Sequence, residues 1–173
     1  MPSSQTNVLC SLLFLACLFQ QRCYLVEADQ ALINSVCEKT GKNNQFCHDC
    51  FKRDSRSPTE DIKGLALTSI DCGSTTAFDA RAETASLAAR STDPTFKQKC
   101  NTCLGELDAT FGDFGQAKTS AGAGNKVAAT NSLNDALRKA ADCLNLVGRG
   151  PVPKLATLQG FIDVAINVVN QIP

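Results

Sequence analysis

The sequence predicts an all-α protein, an up-down-up-down four-helix bundle preceded by a short helical hairpin that a disulfide staples. Four long segments repeat apolar residues at steps of three and four, which is the spacing of one helix face. The connections between these segments are short, which favours antiparallel neighbours in a bundle. Cys37 and Cys47 flank the turn TGKNN, which joins two shorter helical pieces. We therefore expect the hairpin at residues 29–56 and the bundle at residues 57–172.

Residues 1–28 are predicted to be a signal peptide that is removed from the mature chain. The apolar run VLCSLLFLACLF is shorter than the roughly 20 apolar residues that a membrane-spanning helix needs. Val26 and Ala28 place small residues at −3 and −1 of a cleavage after Ala28. The mature domain is then residues 29–173, and its expected destination is outside the cell.

The composition of the mature segment argues against several classes of protein. After residues 1–28 are removed, the chain keeps seven cysteines and sixteen charged residues of each sign. This neutral balance gives no reason to expect nucleic acid or an anionic membrane as a partner. Thiols in an oxidising compartment form disulfides, so CHDC and CNTC are not predicted to hold zinc, and we expect no metal or cofactor. The odd number of cysteines leaves at least one thiol free or paired with another chain.

Each bundle helix has its own start signal. The first is predicted to begin at SPTE, with Ser57 as the N-cap and Glu60 as its capping-box partner, and to run to about Arg90. The second begins at DPT, with Asp93 as the N-cap. The third follows the helix breaker SAGAGN, and the fourth follows GRGPVP. The chain thus has the start signals that four consecutive helices require.

Distances from the predicted turn limit which thiols of the bundle can pair. If the second and third bundle helices reverse near Gly122, then Cys103 lies 19 residues before the turn and Cys143 lies 21 residues after it. These two positions are at nearly the same height, but Cys100, 22 residues before the turn, is not excluded. Cys72 has no thiol at its level on a neighbouring bundle helix. We therefore predict that it is a buried free thiol.

The cysteine spacing, together with the segments SPTEDIKGLALTSID and TDPTFKQKCNTC, resembles the plant invertase and pectin methylesterase inhibitors over about residues 30–172. In that family the first cysteine pairs with the second and the third with the fourth. By position, the resemblance implies the pairs Cys37 with Cys47 and Cys103 with Cys143. It also implies a protein without enzymatic activity that is secreted to the cell wall or apoplast, with the vacuole as the alternative.

The resemblance favours one target enzyme over the other. Invertase inhibitors carry a Pro-Lys-Phe element early in the third bundle helix, where this sequence has Lys126, Val127 and Ala128. The segments IKGLALTSID and FGQAK are more similar to pectin methylesterase inhibitors. The resemblance therefore predicts a reversible one-to-one inhibitor of a plant pectin methylesterase that covers the substrate cleft. Inhibition of a cell-wall or vacuolar acid invertase is the alternative.

Candidate contacts with the target enzyme lie on the second and third bundle helices. The acidic positions of the family's pectin methylesterase inhibitors fall here on Gly105, Ala109 and Gly112, and Leu107 replaces the usual tyrosine. The acids present are each displaced by about one residue, which turns a helical side chain by about 100°. The candidate contact residues are Glu106, Asp108, Asp113, Asp142 and Asn145.

Two further functions remain open, and catalysis is not among them. His48 and Asp49 are adjacent on a short helix, so they point in different directions and form no catalytic set with a nucleophile. One open function is that of a secreted helical scaffold without inhibitory activity. The other is a carrier of small apolar ligands, whose cavity would be lined by the stripe Phe96, Leu107, Phe111 and Phe114.

Overall fold

The computed structural model describes residues 30–148 and 150–173. The predicted signal peptide, residues 1–28, lies outside this part of the chain. Short 3₁₀ turns occur at Gly41–Asn43 and Ser57–Thr59, and the described ranges contain no strand. None of the helices in these ranges is long and apolar enough to cross a membrane. The helices are α1 (residues 30–38), α2 (Asn44–Arg53), α3 (Ile62–Arg90), α4 (Pro94–Gly122), α5 (Lys126–Val147) and α6 (Pro153–Val169).

Helices α3 to α6 form the predicted four-helix bundle, which confirms the all-α class. Each of them packs against the helix before and after it in the chain, and α6 closes the bundle against α3. Every bundle helix contributes fully buried leucines to the interior, among them Leu65, Leu107, Leu133 and Leu158. Apolar faces that repeat at helical spacing are therefore buried against each other, as the pattern predicts.

Three bundle helices begin at residues whose side chains accept a backbone hydrogen bond, α4 and α5 among them. The carboxylate of Asp93 accepts the N–H of Thr95 at 2.9 Å, which confirms Asp93 as the N-cap of α4. The side chain of Asn125 accepts the N–H of Ala128 at 3.1 Å and caps α5. The turn between the two helices includes Gly124, whose φ of 76° is accessible to glycine at low cost.

Helix α3 begins later than the sequence analysis predicted, and its capping box was wrong. Ser57 lies in a separate 3₁₀ turn, and Glu60 has an extended backbone. The N-cap is Asp61, whose carboxylate accepts the N–H of Gly64 at 2.8 Å. The carboxylate of Glu60 instead accepts the hydroxyl proton of Thr68 at 2.8 Å. A contact nearly two turns into the helix, rather than the local capping pattern, therefore fixes Glu60.

The hairpin of α1 and α2 is seated on α6 through an aromatic contact. The ring of Phe46 lies against Gly160, where an added Cβ would come within 2.7 Å of the ring. The same ring meets Phe161 edge-on, with the ring centroids 5.3 Å apart. The guanidinium of Arg53 lies 5.5 Å from the centre of the Phe161 ring. The small residue at position 160 is therefore what allows the hairpin to approach the bundle.

Disulfides hold the hairpin together, join it to the bundle and link two bundle helices. The joined cysteines are Cys37–Cys47, Cys50–Cys72 and Cys103–Cys143, with Cα separations of 5.5, 5.8 and 4.5 Å. The family resemblance implies the first and the third of these pairs.

The second bond corrects the prediction for Cys72, which is paired with Cys50 and is not a free thiol. The prediction compared heights among the bundle helices alone, whereas α2 lies against α3 and brings Cys50 to the level of Cys72. In the part of the chain that the structure describes, Cys100 is the free cysteine, and it is fully buried. Burial raises the pKa of its thiol because a thiolate is poorly solvated there.

Candidate target-binding face

The outer sides of α4 and α5 form one continuous surface, which we call the α4–α5 face. On α4 this surface consists mainly of glycine, alanine and small polar side chains, and on α5 it becomes more charged towards the C-terminus. Its residues are Gly105, Ala109, Gly112, Gly115, Gln116 and Thr119 on α4 and Ala128, Ser132, Asp135, Asp142 and Asn145 on α5.

Glycines on the α4 side of this face have no role in the packing of the bundle. A Cβ added at Gly105, Gly112 or Gly115 would meet no atom within 4 Å. Glycine in a helix interior costs about 0.5–1 kcal/mol relative to alanine, so these residues weaken α4 without an internal benefit. What they provide is a smooth surface on which another molecule can approach the helix backbone closely.

A shallow groove runs between the two helices next to these glycines. Its volume is about 460 Å³, and one wall comes from each helix. The groove widens the α4–α5 face from a single ridge into a concave surface that can receive a protruding segment of a partner. The lining residues are Gly112, Gly115, Gln116, Thr119 and Ser120 of α4 and Ala128 and Ser132 of α5.

Two of the predicted contact acids are engaged within the protein. Asp108 points towards α3, where its carboxylate accepts two hydrogen bonds from the guanidinium of Arg81. These hydrogen bonds lower the pKa of the Asp108 carboxyl. Asp113 points towards α5 and forms an ion pair with Lys139 at 2.6 Å, with 13% of the Asp113 side chain and 18% of the Lys139 side chain exposed. Asp113 is therefore part of the α4–α5 packing.

The other candidates differ in how accessible they are. Asp142 and Asn145 are exposed on the last turns of α5. The carboxylate of Asp142 lies 3.6 Å from the guanidinium of Arg138, in a pair of which both side chains are more than half exposed. Glu106 is half-buried on α4. Three members of the predicted set are thus exposed, namely Asp142 and Asn145 on α5 and Asp108, which faces α3.

Sequence reasoning missed the groove residues, although a signal for them was present. Gly105, Gly112 and Gly115 follow one another at steps of seven and three, which places them on one side of a helix. In the sequence analysis, Gly105 and Gly112 are considered only as positions that lack an acid. Because glycine is unfavourable in a helix interior, three glycines on one side of a predicted helix could have indicated a surface of close approach.

The residues that replace the Pro-Lys-Phe element lie at the start of α5. The ammonium group of Lys126 donates a hydrogen bond to the carbonyl of Ile172 at 3.0 Å, so this charge is tied to the end of the chain. Val127 is 67% exposed and is one of the exposed large apolar side chains of the described residues. Ala128 lines the groove. The segment therefore presents an apolar side chain and no free cation.

The stripe that could have lined a ligand cavity is part of the bundle interior. Leu107 and Phe114 are buried, and Phe96 and Phe111 pack against the same core.

His48 is half-buried next to Cys47, whose sulfur is in a disulfide. Within residues 30–148 and 150–173, no three potential ligands among histidine, cysteine, aspartate and glutamate come together as a metal site would require.

Comparisons with known proteins agree with this architecture. A curated pectinesterase inhibitor of Actinidia deliciosa is 35% identical over 109 residues, which is 63% of this chain and 56% of that protein. The chain thus matches about half the length of this relative. A mutant pectin methylesterase inhibitor from Arabidopsis has the same fold, with a TM-score of 0.70 at 22% identity over 82% of this chain and 97% of that one.

A second solved structure, a pectin methylesterase inhibitor from Arabidopsis thaliana, gives a TM-score of 0.61 at 21% identity, over 82% of this chain and 95% of that one. At this identity the two solved structures show the shared fold. The family profile described as plant invertase/pectin methylesterase inhibitor matches residues 31–168, which is most of the chain. The chain therefore belongs to the plant invertase/pectin methylesterase inhibitor family.

Proposed function

We propose that the mature chain inhibits a plant pectin methylesterase by a reversible one-to-one complex and that the α4–α5 face is the surface that binds. The family consists of enzyme inhibitors, and the curated relative is itself a pectinesterase inhibitor. The observation that carries the choice of surface is the row of outward glycines on α4, which have no packing role. We further propose that the protein is secreted and acts in the cell wall.

The α4–α5 face is held rigidly, which favours binding. The Cys103–Cys143 disulfide joins the two helices, and the ion pair of Asp113 with Lys139 joins them again further along. A surface that is already ordered loses less conformational entropy when a complex forms. The groove can then accept a protruding segment of the enzyme without rearrangement of the bundle.

Polar residues at the α5 side of the face would supply the specific contacts. Asp135 and Asp142 are exposed, and both lie beside the single guanidinium of Arg138, at 3.7 and 3.6 Å. The carboxylates therefore exceed the cations at this place, which suits basic residues around the enzyme's pectin groove. Asn145 extends the same polar edge. An acid invertase is the less favoured target, because the Pro-Lys-Phe element is replaced by Lys126, Val127 and Ala128.

The function is tested by titration of several plant pectin methylesterases with the purified protein at mildly acidic pH, with an acid invertase in parallel. We expect stoichiometric loss of methylesterase activity and no effect on the invertase. Inhibition of the invertase alone would reverse the assignment of the target. Absence of inhibition and of binding to either enzyme would leave the scaffold function.

The surface is tested by Gly112→Arg, which adds a long charged side chain where a Cβ meets no other atom. We expect the affinity for the methylesterase to fall by at least about tenfold, which corresponds to about 1.4 kcal/mol. Ala82→Arg is the matched control, because Ala82 is exposed on α3, away from the α4–α5 face. The proposal fails for this surface if both variants bind as the wild type does, or if the control loses as much affinity.

A further inference from the structure

The Cys50–Cys72 disulfide is more accessible than the two other disulfides of the described residues. All four cysteines of Cys37–Cys47 and Cys103–Cys143 are 0% exposed. Cys50 is likewise 0% exposed, but Cys72 is only partly buried, and both cysteines line a surface cavity of about 460 Å³. A dissolved thiol can therefore reach this disulfide in the folded protein, whereas the other two require the helices to separate.

The charges around this cavity do not oppose an approaching thiolate. The carboxylate of Asp54 pairs with the guanidinium of Arg56 at 2.5 Å, and the carboxylate of Asp71 accepts a hydrogen bond from the ammonium group of Lys118 at 2.6 Å. Arg53 also lines the cavity and lies one helical turn after Cys50, against the aromatic ring of Phe161.

We propose that Cys50–Cys72 is a thiol-exchange site, which accepts a small monothiol of the glutathione class and thereby frees the end of the hairpin from the bundle. The thiolate of the monothiol attacks the Sγ of Cys72, a new disulfide joins the monothiol to Cys72, and Cys50 leaves as a thiolate. A second monothiol then attacks the mixed disulfide. This step releases the oxidised monothiol as a dimer and leaves Cys72 reduced, so two thiols are oxidised for each disulfide opened.

Opening this bond has a local effect, because it is the one disulfide between the hairpin and the bundle among the described residues. After cleavage, the end of α2 and the segment before α3 stay attached through the peptide backbone, and noncovalent contacts alone hold them against the bundle. The contact of Phe46 with Gly160 and Phe161 remains and keeps the start of α2 on α6. Cys37–Cys47 still closes the hairpin itself, so we expect residues 50–61 to loosen while the four bundle helices stay folded.

The exchange is tested on the purified secreted protein, incubated with graded reduced glutathione, quenched with an alkylating reagent and mapped without reduction. Cys100 is an internal reporter of global unfolding, because its thiol is buried and burial raises its pKa. We expect Cys50 and Cys72 to be glutathionylated or alkylated at least about ten times faster than any other cysteine, with Cys100 unmodified.

Three outcomes would overturn the proposal: Cys37–Cys47 or Cys103–Cys143 opening first, Cys100 reacting as fast as Cys72, or Cys50–Cys72 remaining closed. A second measurement is amide hydrogen exchange on the thiol-treated protein and on the Cys50→Ser/Cys72→Ser variant. Exchange in residues 50–61 should rise to the same level in both, with α5 unchanged. Unchanged exchange in residues 50–61 of the thiol-opened protein would show that the bond does not hold the hairpin end. Neither measurement depends on the target enzyme.

Discussion

Substitution of Gly160 by alanine is expected to destabilise the protein, although alanine is the better helix former. The new Cβ would come within 2.7, 2.8 and 3.0 Å of three ring carbons of Phe46. The ring has to move, and it then loses its edge-on contact with Phe161. Overpacking of this kind lowers the free energy of unfolding by about 1–3 kcal/mol, and the higher helix propensity of alanine raises it by about 0.5–1 kcal/mol. The difference between these ranges is about 0–2.5 kcal/mol, and we expect a net loss near its middle, about 1 kcal/mol.

Gly112→Ala is the matched control for this change. It makes the same substitution in a helix interior, but its Cβ would meet no atom within 4 Å. We therefore expect Gly112→Ala to stabilise the protein by about 0.5–1 kcal/mol through propensity alone. Urea unfolding followed by circular dichroism measures both variants on one scale. Since 1 kcal/mol shifts the thermal midpoint by about 2–4 °C for a chain of this size, thermal scans should agree.

A double variant separates the clash from other effects of Gly160→Ala. In a Phe46→Ala background the ring is absent, so Gly160→Ala should no longer destabilise the protein and should even stabilise it slightly. The reasoning is refuted if Gly160→Ala alone is as stable as the wild type. It is equally refuted if the loss persists unchanged when Phe46 is absent, because the ring would then not be its cause.

Two other substitutions test ion pairs. Lys139→Met leaves the largely buried carboxylate of Asp113 without its partner, and we expect the free energy of unfolding in urea to fall by about 2–4 kcal/mol. Adding Asp113→Asn should recover part of this loss, and a loss below about 0.5 kcal/mol would contradict the structure. The hydrogen bonds from Arg56 lower the pKa of Asp54 from 3.8 to about 2. The pair's stabilisation is therefore complete above about pH 4 and is lost as the pH falls towards 2. NMR titration of Asp54 should give a pKa of about 2 in the wild type. Arg56→Ala should raise it towards 3.8, and a wild-type pKa already near 3.8 would exclude the pairing.

The parts of the fold that the sequence predicted are those that local signals determine. Asp93 is followed directly by proline, which is typical of the first helical position, so the start of α4 was predicted correctly although Ser91 and Thr92 precede it. Before α3 the chain offers both Ser57 and Asp61. The choice between them depends on Glu60, whose carboxylate binds Thr68 well inside the helix. A contact between residues eight positions apart is not visible in a capping pattern.

Disulfide pairing shows the same limit at longer range. Counting residues along two helices joined by a short turn gives the height of each thiol, which is why Cys103 and Cys143 were compared at all. The distance of the hairpin from the bundle does not follow from counting. It depends on how closely α2 approaches α3 and α6, and this is set by side chains such as Phe46 on Gly160. The partner of Cys72 was therefore beyond the reach of the sequence.

The engagement of Asp113 within the bundle has a geometric reason. Helical spacing places Asp113 next to Phe114 and one turn from Thr110, both of them buried, so Asp113 lies at the border of the core. A carboxylate at such a border either reaches solvent or finds a cation on the next helix. Lys139 on α5 supplies that cation, and only the relative rotation of the two helices determines that it does.

The two proposals concern parts of the molecule that are held independently. The α4–α5 face is fixed by Cys103–Cys143 and by the ion pair between Asp113 and Lys139, and neither set of contacts includes the hairpin. The hairpin is fixed to α3 and α6 by Cys50–Cys72 and by the aromatic contact at Gly160. Because no contact that fixes the face involves α1 or α2, opening Cys50–Cys72 changes the order of the hairpin without removing any constraint on the face. The proposed exchange reaction at this bond would therefore loosen the end of the hairpin, while the proposed inhibitory surface keeps its shape.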